Sequence, residues 1–294
     1  MTKMRTSNTS SEYISSGEVL TLRTSLLKMY LRCPAQCLFR YFKGLVVLPK
    51  SMLTFGSCVH ASAEYGNKYK LNKGRDAKLS VMQDVFHEEF KQRVKRTAWN
   101  KSEKPEKIES EGIKRVVPLY HEKIHKVIEP ALVEEPCRIE LPDDKLIVTG
   151  SIDLAETDDQ IRDLKNKGRS PSWDEAIKSF QGKSYKSLFY SKFKKEPKGF
   201  VLDCIVRKQV PELVTTKNVP FSKKEDLEFK ETCRQVVRGI RAGLFYPRRE
   251  MNYFCSPNSC GYWDICAKGA WRDPGVFTKV FGSNESENDS GGED

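Results

Sequence analysis

The sequence lacks a long hydrophobic run. In its 294 residues no apolar stretch approaches the ~20 residues that a membrane-spanning helix requires. Residues 1–16 are polar and rich in Ser and Thr, and they contain no apolar core of a secretion signal. We therefore expect a protein that remains in the cytoplasm without a membrane partner, and whose residues 1–16 are disordered.

Basic residues are absent from the last twelve positions, 283–294, which hold five acids. The whole chain carries 51 Lys and Arg against 40 Asp and Glu, a formal charge of +11, so the part before this tail is more basic still. A basic body suits a polyanion such as nucleic acid, although ordinary solubility charge is the alternative. We expect the acidic tail to be disordered and to contact a basic partner or to mimic DNA.

The nine cysteines are not accompanied by a secretion signal, so they do not predict a disulfide framework. Reduced or metal-bound thiols are expected instead. Four cysteines stand singly among mixed or apolar residues, where a small buried side chain is the ordinary outcome: Cys58, Cys137, Cys204 and Cys233. The other five gather near the two ends of the chain: Cys33, Cys37, Cys255, Cys260 and Cys266.

The stretch from Gly150 to Lys165 predicts a β-hairpin. Apolar residues flank the polar run 157–159, as is typical of a turn between antiparallel strands. A turn centred on this run sets Asp153 opposite Asp163, and opposed side chains on one face lie roughly 5 Å apart. Lys165 shares the face of Asp163 because side chains alternate along a strand. Two carboxylates beside an ammonium group suit a hard divalent cation, whereas a solvated hairpin with outward charges is the alternative.

These residues resemble the signature of the PD-(D/E)XK nuclease superfamily, in which an Asp on one strand precedes Asp or Glu, any residue and Lys on the next. The matching residues are Asp153 and Asp163-Leu164-Lys165. The resemblance implies an α/β fold, a restriction-endonuclease-like core with a mixed central sheet flanked by helices. It also implies that Asp153, Asp163 and Lys165 catalyse hydrolysis of DNA phosphodiester bonds with Mg²⁺ or Mn²⁺.

Upstream, Gly56 and His60 have the spacing of a Gly-x-x-x-His segment found at this place in the RecB-like group of that superfamily. There the imidazole joins the metal site. The resemblance therefore implies that the cation is held by His60, Asp153, Asp163 and the backbone carbonyl of Leu164. Glu64 shares a helical face with His60 and is expected to position it. Taken alone, a His near a Glu is more often structural.

Two segments beyond the hairpin are expected to contact DNA. Lys167 and Arg169 belong to a basic turn beside the predicted metal, where they can touch phosphates, or the turn is simply a solvated loop. Gln181 and Tyr185 have the spacing of a RecB-like Gln-x-x-x-Tyr motif that is associated with positioning DNA near the metals. Gly182 stands where an apolar residue usually follows the Gln.

Apolar residues at helical spacing occupy the charged stretch from about 76 to 128 and predict two helices. In the families resembled, a helical insertion packs beside the nuclease core at this place. His87, His121 and His125 fall in this stretch, and we interpret them as surface residues. Before it, residues 20–32 predict an amphipathic helix that ends at Cys33-Pro34.

Three cysteines within residues 255–266 can wrap one soft metal centre, since thiolates suit zinc or an iron–sulfur cluster. Cys33 can supply the fourth ligand, with Cys37 as an alternative. One early and three late cysteines resemble the iron–sulfur nucleases of the RecB-like group, similar to AddB nuclease domains and CRISPR-associated single-strand exonucleases. The resemblance implies a 4Fe–4S cluster that clasps the two ends, with Zn²⁺ as the alternative. The gap of four residues after Cys255 departs from the usual two.

The features together predict one nuclease domain over residues 17–275, with a helical insertion at about 76–128 and a clasp formed by Cys33 and residues 255–266. The expected activity is metal-dependent cleavage of DNA, with an exonuclease acting on single strands or DNA ends in recombination, repair or viral DNA processing as the preferred form. A protein partner in a recombination or repair complex is compatible with this role. The alternatives are a DNA-binding or assembly protein that retains the fold without catalysis, and an endonuclease with structural zinc.

Overall fold

The structure, a computed structural model, describes residues 5–6, 19–249 and 254–272. The predicted acidic tail lies outside these residues, as does the predicted disordered N-terminus, residues 1–16, except for Arg5–Thr6. No helix of the described part is both long and apolar enough to cross a bilayer.

Eight strands form in the described residues. Buried and exposed side chains alternate, with the period of a strand, in the second strand and at the end of the fourth. They are β1 (Arg5–Thr6), β2 (Leu20–Arg23), β3 (Leu45–Val46), β4 (Pro130–Leu141), β5 (Leu146–Glu156), β6 (Gln160–Lys167), β7 (Gly199–Val206) and β8 (Glu212–Thr215).

Ten α-helices accompany them, and short π-helical turns at Leu38–Phe42, Gly112–Val116 and His121–His125 continue three of the helical segments. The helices are α1 (Thr24–Arg32), α2 (Pro34–Cys37), α3 (Ser51–Lys73), α4 (Leu79–Arg93), α5 (Pro105–Glu111), α6 (Val117–Tyr120), α7 (Glu175–Lys178), α8 (Phe180–Phe193), α9 (Lys223–Arg241) and α10 (Trp263–Ala267).

The chain divides into two compact units, each assembled from separate stretches. The first unit takes the described residues of Met1–Val47, Ile139–Thr149 and Lys230–Asp294. The second takes Leu48–Arg138 and Gly150–Phe229.

In the first unit, β2 pairs in parallel with the beginning of β5, Leu20 opposite Leu146 and Arg23 opposite Thr149. The sequence Leu-Thr-Leu-Arg alternates buried and exposed side chains, which is the period of a strand. The predicted helix over residues 20–32 is therefore wrong at its start, because β2 precedes α1. Its predicted end is confirmed, since Cys33 adopts an extended conformation as the residue before a proline must.

In the second unit, a mixed sheet is built on the predicted hairpin. The end of β5 is antiparallel to β6, β6 is parallel to β7, and β7 is antiparallel to β8. Every residue of β7 is buried, as expected for a central strand that is covered on both faces. The chain thus has the α/β fold with a mixed sheet and flanking helices.

Helices α3, α4 and α6 of the second unit share one apolar core with the sheet. Phe55, Phe86 and Val116 are each completely buried in it, together with Ile205 of β7 and Leu164 of β6. Since Leu164 lies between Asp163 and Lys165, this packing fixes the side of β6 on which those two polar side chains stand.

The interpretation of His125 as a surface residue is wrong. Its ring is fully buried, Nε2 accepts a hydrogen bond from the backbone N–H of Ala77 at 3.0 Å, and Nδ1 lies 3.2 Å from Asn67 Oδ1. His121 is also partly buried, and its Nε2 lies 3.0 Å from the backbone oxygen of Ala77. Only His87 of the three is exposed.

Candidate active site

Asp153 and Asp163 stand on the paired strands β5 and β6. Leu154 lies opposite Arg162 and Ala155 opposite Ile161, so the same register sets Asp153 opposite Asp163. The predicted hairpin register is confirmed. Asp163 is completely buried, and its Oδ2 atom has no hydrogen-bond partner among the described residues. A buried carboxylate oxygen of this kind is costly unless something else binds it.

A chain of hydrogen bonds links the two acids through α8. Lys165 Nζ donates to Asp163 Oδ1 at 2.7 Å and to Gln181 Oε1 at 3.0 Å. Gln181 Nε2 donates to the hydroxyl of Tyr185 at 2.6 Å, and that hydroxyl donates to Asp153 Oδ1 at 2.6 Å. The two acids, the lysine and the Gln-x-x-x-Tyr pair therefore form one connected constellation.

The geometry of α8 explains why Gln181 and Tyr185 reach the acids. Ser179 caps the helix, since its Oγ accepts a hydrogen bond from the N–H of Gly182 at 3.0 Å. Residues four apart share a helical face, which brings Gln181 and Tyr185 to the same side. A Cβ atom at Gly182 would lie 2.4 Å from the Phe200 ring of β7, so only glycine allows α8 to approach the sheet this closely.

Burial and the charges of neighbouring groups shift the pKa values of the residues in this constellation. Burial raises the pKa of Asp163, Lys165 lowers it, and the nearby Asp153 raises it further. Burial also raises the pKa of Tyr185, and both acids add to that increase. Tyr185 therefore keeps its proton and donates it in a hydrogen bond, while the pair of acids exerts a pull on any cation near it.

His60 projects from α3 toward the same acids. His60 borders one cavity together with Leu164, and the backbone of Leu164 and the charges of Asp163 and Lys165 all act on the imidazole. Burial and then Lys165 lower its pKa, so the ring stays neutral near pH 7 and keeps a lone pair. The structure thus brings the predicted imidazole to the residue that lies between Asp163 and Lys165.

His60 and Asp153 line this cavity of the second unit, whereas Asp163, Lys165, Gln181 and Tyr185 do not border it. Its wall includes His60, Glu64, Glu134, Asp153 and the Leu164 side of β6. Gly56, the predicted partner of His60 in sequence, has open space where a Cβ would stand, so packing does not require glycine there.

Glu134 was not predicted from the sequence, yet it faces this cavity. It lies on β4 with a positive φ of 52°, a conformation that non-glycine residues rarely adopt. Burial, followed by Asp153 and Glu64, raises its pKa to about 7. The one sequence signal near it is Pro136, because a proline inside a strand indicates a bulge or an irregular edge.

Arg162 and Asp203 form a second polar group that the sequence did not reveal. The guanidinium donates to both carboxylate oxygens of Asp203, at 2.8 and 2.9 Å, and to Glu156 at 2.8 Å. Thr215 donates a further hydrogen bond to Asp203 at 2.6 Å. Both residues border the cavity beside Leu164, and their bidentate pairing holds β6 and β7 in register beneath it.

The remaining predicted site residues are Glu64, Lys167 and Arg169, and their described contacts are with residues other than the two acids. Glu64 borders the cavity, but its short contact is to Lys68 Nζ at 2.6 Å. Lys167 forms an ion pair with Glu175 of α7. Arg169 is exposed in the loop that follows β6.

The two acids and the imidazole suit a divalent cation in their chemistry. In the part of the chain that the structure describes, no three His, Cys, Asp or Glu side chains are arranged to enclose a metal ion. One oxygen of each acid already accepts a hydrogen bond, from Lys165 at Asp163 and from Tyr185 at Asp153. The unpartnered Oδ2 of Asp163 and the opposed acid are nevertheless hard oxygen ligands of the kind that Mg²⁺ and Mn²⁺ bind, and the neutral imidazole adds a borderline nitrogen ligand with a free lone pair.

A separate cavity in the first unit is lined by four of the cysteines. Cys33, Cys255, Cys260 and Cys266 all border it, whereas Cys37 does not. Cys37 is fully buried with Sγ 4.0 Å from the carbonyl of Leu26, and burial raises its pKa strongly. Of the two early cysteines, Cys33 is therefore the one that lines this cavity with Cys255, Cys260 and Cys266.

The thiols in this cavity affect one another. Burial raises the pKa of Cys255, and the neighbouring thiols of Cys260 and Cys33 raise it further. Gln36 donates from Nε2 to the sulfur of Cys260 at 3.2 Å, and Arg32 orients that amide by donating to its oxygen at 2.8 Å. Donors aimed at sulfur suit thiolate ligands, although the four thiols do not form a closed metal site as they stand.

The four remaining cysteines are single buried thiols, as predicted. Cys58, Cys137, Cys204 and Cys233 are all buried, and all nine cysteines are free.

Comparison with known proteins supports the architecture. No curated protein matches the sequence significantly. A crystal structure from Eubacterium rectale, whose protein is provisionally named an exonuclease, matches with a TM-score of 0.52 and 11% sequence identity. The match covers 83% of this chain and 87% of that chain, so the two share a fold. The sequence of residues 23–267 matches the PD-(D/E)XK nuclease superfamily. This match spans most of the chain and includes both the hairpin and the cysteine cavity, and the chain therefore belongs to the PD-(D/E)XK nuclease superfamily.

Proposed function

We propose that this protein is a metal-dependent deoxyribonuclease that hydrolyses phosphodiester bonds. The observation that carries the proposal is the convergence of Asp153, Asp163 and Lys165 beside a neutral imidazole, with Asp163 Oδ2 buried and unpartnered. A protein that only bound DNA would gain nothing from a buried acid with a free oxygen, because such a group lowers stability.

His60, Asp153, Asp163 and the backbone carbonyl of Leu164 would hold Mg²⁺ or Mn²⁺. Such an ion, when bound, lowers the pKa of a water molecule and offsets the charge that develops on the scissile phosphate. Glu134 is close enough to Asp153 for the two charges to interact, and it adds negative charge to this side of the cavity.

The side chains of the protein have separate roles in this proposal. Lys165 keeps its ammonium group at the acids and hydrogen bonds to the attacking water or to the phosphate oxygens. Gln181 and Tyr185 hold Lys165 and Asp153 at their separation, and so position the reacting phosphate indirectly. Glu64 lies one helical turn from His60 and restrains its ring electrostatically.

The proposed substrate is DNA, with an exonuclease acting on single strands or on DNA ends as the preferred form. The formal charge of +11 favours a polyanion. Arg169 is exposed and can contact phosphates, and Lys167 can do so on leaving Glu175. Recombination, repair and viral DNA processing, with or without a protein partner, are the settings that suit such an enzyme.

The cysteine cavity is proposed to hold a 4Fe–4S cluster, with Zn²⁺ as the competing occupant. Four thiols on one cavity and an amide donor to the sulfur of Cys260 support a thiolate-bound centre. Nine free thiols suit a reducing compartment such as the cytoplasm.

The direct test measures cleavage of end-labelled single- and double-stranded DNA with Mg²⁺ or Mn²⁺. The wild-type protein is expected to cut and to stop on chelation by EDTA, whereas Asp163→Asn and Lys165→Ala are expected to lose at least ~10²-fold in rate. Lys91→Ala serves as a control, because it removes an exposed ammonium group that pairs with Glu88, and neither residue borders the cavity.

Products that shorten from one end identify an exonuclease, and internal fragments identify an endonuclease. If the wild-type protein binds DNA but leaves it intact with either metal, the catalytic proposal fails and the protein is a DNA-binding relative of the nucleases.

A further inference from the structure

Trp173 is the feature that the proposed function leaves unexplained. Its side chain is 85% exposed, more than any other large hydrophobic residue of the described chain. It lies in the loop between β6, which carries Asp163 and Lys165, and α7. An indole is rarely left in water without a partner, because it is the largest side chain and most of it is apolar.

The exposure of Trp173 does not come from a loose loop. Ser172 Oγ donates to Asp174 Oδ1 at 2.7 Å, and the N–H of Glu175 donates to the backbone oxygen of Ser172 at 3.1 Å. Both residues that flank the tryptophan therefore form hydrogen bonds within the turn. The indole is exposed on an ordered, hydrogen-bonded turn.

The same turn is tied to the catalytic strand at both ends. Glu175 forms an ion pair with Lys167, which lies two residues from Lys165, and two residues of strand span about 6.6 Å. At the far end, Gln181 accepts a hydrogen bond from Lys165 itself at 3.0 Å. Trp173 thus projects from a segment that is tied to Lys167 by the ion pair with Glu175 and to Lys165 by the hydrogen bond to Gln181.

The surroundings of the indole select a nucleic acid over an apolar protein surface. Arg169, four residues earlier, is exposed, and Lys178 on α7 has a side chain that is 76% exposed, although its ammonium group pairs with Asp174. Ile177, 47% exposed, is the single large apolar neighbour on the same short segment. An aromatic face flanked by cations on a basic protein matches the platforms on which unpaired bases stack.

We propose that Trp173 is a stacking site for an unpaired nucleobase of the DNA strand whose phosphate lies at Lys165. The site rests on the proposed nuclease function and extends it, because an indole can stack on a base only where the base is free of its complementary strand. Arg169 binds the phosphate beside that base. The enzyme thereby prefers single-stranded DNA, or the frayed end of a duplex, over intact duplex.

The test measures binding of an oligothymidylate of about 12 nucleotides by fluorescence anisotropy, in EDTA so that nothing is cut. Trp173→Ala is expected to weaken binding about 5- to 150-fold, because the free energy of stacking one base on an aromatic ring corresponds to a change in affinity of that size. Trp173→Tyr retains a ring and is expected to bind within about threefold of the wild type. Binding of a blunt duplex of equal length changes little in either variant.

An abasic oligonucleotide of the same length separates stacking from charge. The wild type and Trp173→Ala are expected to bind it equally, because it offers phosphates without bases. Val127→Ala is the matched control, since it truncates another exposed apolar side chain, 71% exposed, outside the loop. Unchanged melting temperatures show that each variant is folded.

Equal affinity of the wild type and Trp173→Ala for the oligothymidylate would overturn the stacking site, and the indole would then be a contact for a protein. This outcome is distinct from failure of the proposed function. If the wild-type protein neither binds nor cuts single-stranded or duplex DNA, the nuclease proposal itself fails. If the wild type and Trp173→Ala both bind and cut DNA equally well, only the stacking site is refuted.

Discussion

The hydroxyl of Tyr185 is a hydrogen-bond donor that burial and the two acids together keep protonated. It donates a hydrogen bond to Asp153 Oδ1 at 2.6 Å, and burial, followed by the charges of Asp153 and Asp163, raises its pKa above the ordinary range. A hydrogen bond to a charged group contributes about 1.5–3 kcal/mol, so this single contact can decide where Asp153 stands.

Tyr185→Phe should therefore lower both kcat and the affinity for Mn²⁺ about tenfold or more, while leaving affinity for DNA in EDTA nearly unchanged. Electron paramagnetic resonance measures free Mn²⁺, and a cleavage assay measures kcat. Tyr65→Phe, at a ring that is 37% exposed, is the control. A variant that binds Mn²⁺ normally but loses DNA would instead assign Tyr185 to direct contact with the strand.

His125 illustrates how burial makes a single residue sensitive to pH. Nε2 accepts from the N–H of Ala77, which leaves the only ring proton on Nδ1, directed at Asn67 Oδ1. Protonation of Nε2 would break the first of these bonds. Burial, with the neighbouring positive charges of His121 and Lys70, accordingly lowers the pKa of His125 to about 4, although Asp76 opposes the shift.

Because this pKa is lower in the folded protein than the ordinary value of about 6.5, the unfolded chain binds the proton more tightly. The stabilising contribution is complete above pH 6.5 and is lost as the pH falls toward 4. We expect the free energy of unfolding to decrease by about 2–3 kcal/mol across this window. Urea unfolding at several pH values measures the decrease, and the curve for His125→Gln should lack it.

The exposed His87 provides the comparison. His87→Gln should retain the full pH dependence of the wild type, because its ring lies at the surface beside Glu109. Identical pH profiles for His125→Gln and the wild type would contradict the assignment.

At the scale of an element, α8 is the helix on which the site depends. It carries Gln181 and Tyr185 to the acids, and its distance from β7 is set at Gly182, where a Cβ would lie 2.4 Å from Phe200. A helix interior ordinarily prefers alanine to glycine by about 1 kcal/mol, so the glycine is retained for close packing.

Gly182→Ala should displace α8 from the sheet. We expect a loss of about 1–3 kcal/mol in the free energy of unfolding, and a larger proportional loss of cleavage rate, because the shift separates Gln181 from Lys165. Gly168→Ala is a matched control, since a Cβ there meets no atom within 4 Å. Thermal unfolding and cleavage are measured on both, and an active, stable Gly182→Ala protein would show that the close approach is not needed.

At the scale of the molecule, the early and late parts of the chain meet in the first unit. Tyr262 donates to the carbonyl of Leu45 at 2.8 Å, its ring lies 5.6 Å from that of Phe39, and Cys33 packs in the same cluster. A metal centre on the four thiols would cross-link segments more than two hundred residues apart in sequence, and closure of a long loop is where such a link stabilises most.

Cys33→Ala should therefore remove most of the iron or zinc from the purified protein and lower its melting temperature by several degrees. Elemental analysis and absorbance near 400 nm identify the metal. Cys37→Ala is the matched control, because Cys37 is buried nearby but does not border the cavity. Loss of metal in Cys37→Ala with retention in Cys33→Ala would exchange the roles of the two thiols.

The sequence alone determined the features that depend on neighbours along the chain. The turn after Glu156 sets Asp153 opposite Asp163 because pairing in a hairpin is fixed by the position of its turn. Cys33 is extended because Pro34 follows it. The shared face of Gln181 and Tyr185 follows likewise from their spacing of four residues on a helix.

Only the tertiary structure decided which distant residues meet. Glu134 reaches the cavity from β4, and Asp203 of β7 pairs with Arg162 of β6, although no local pattern indicates either contact. The same holds for His125, which resembles a surface residue in sequence but is buried against Ala77. Burial and pairing between strands depend on contacts across the whole chain, and hydrophobic periodicity records which face of an element is buried but not which polar group it meets.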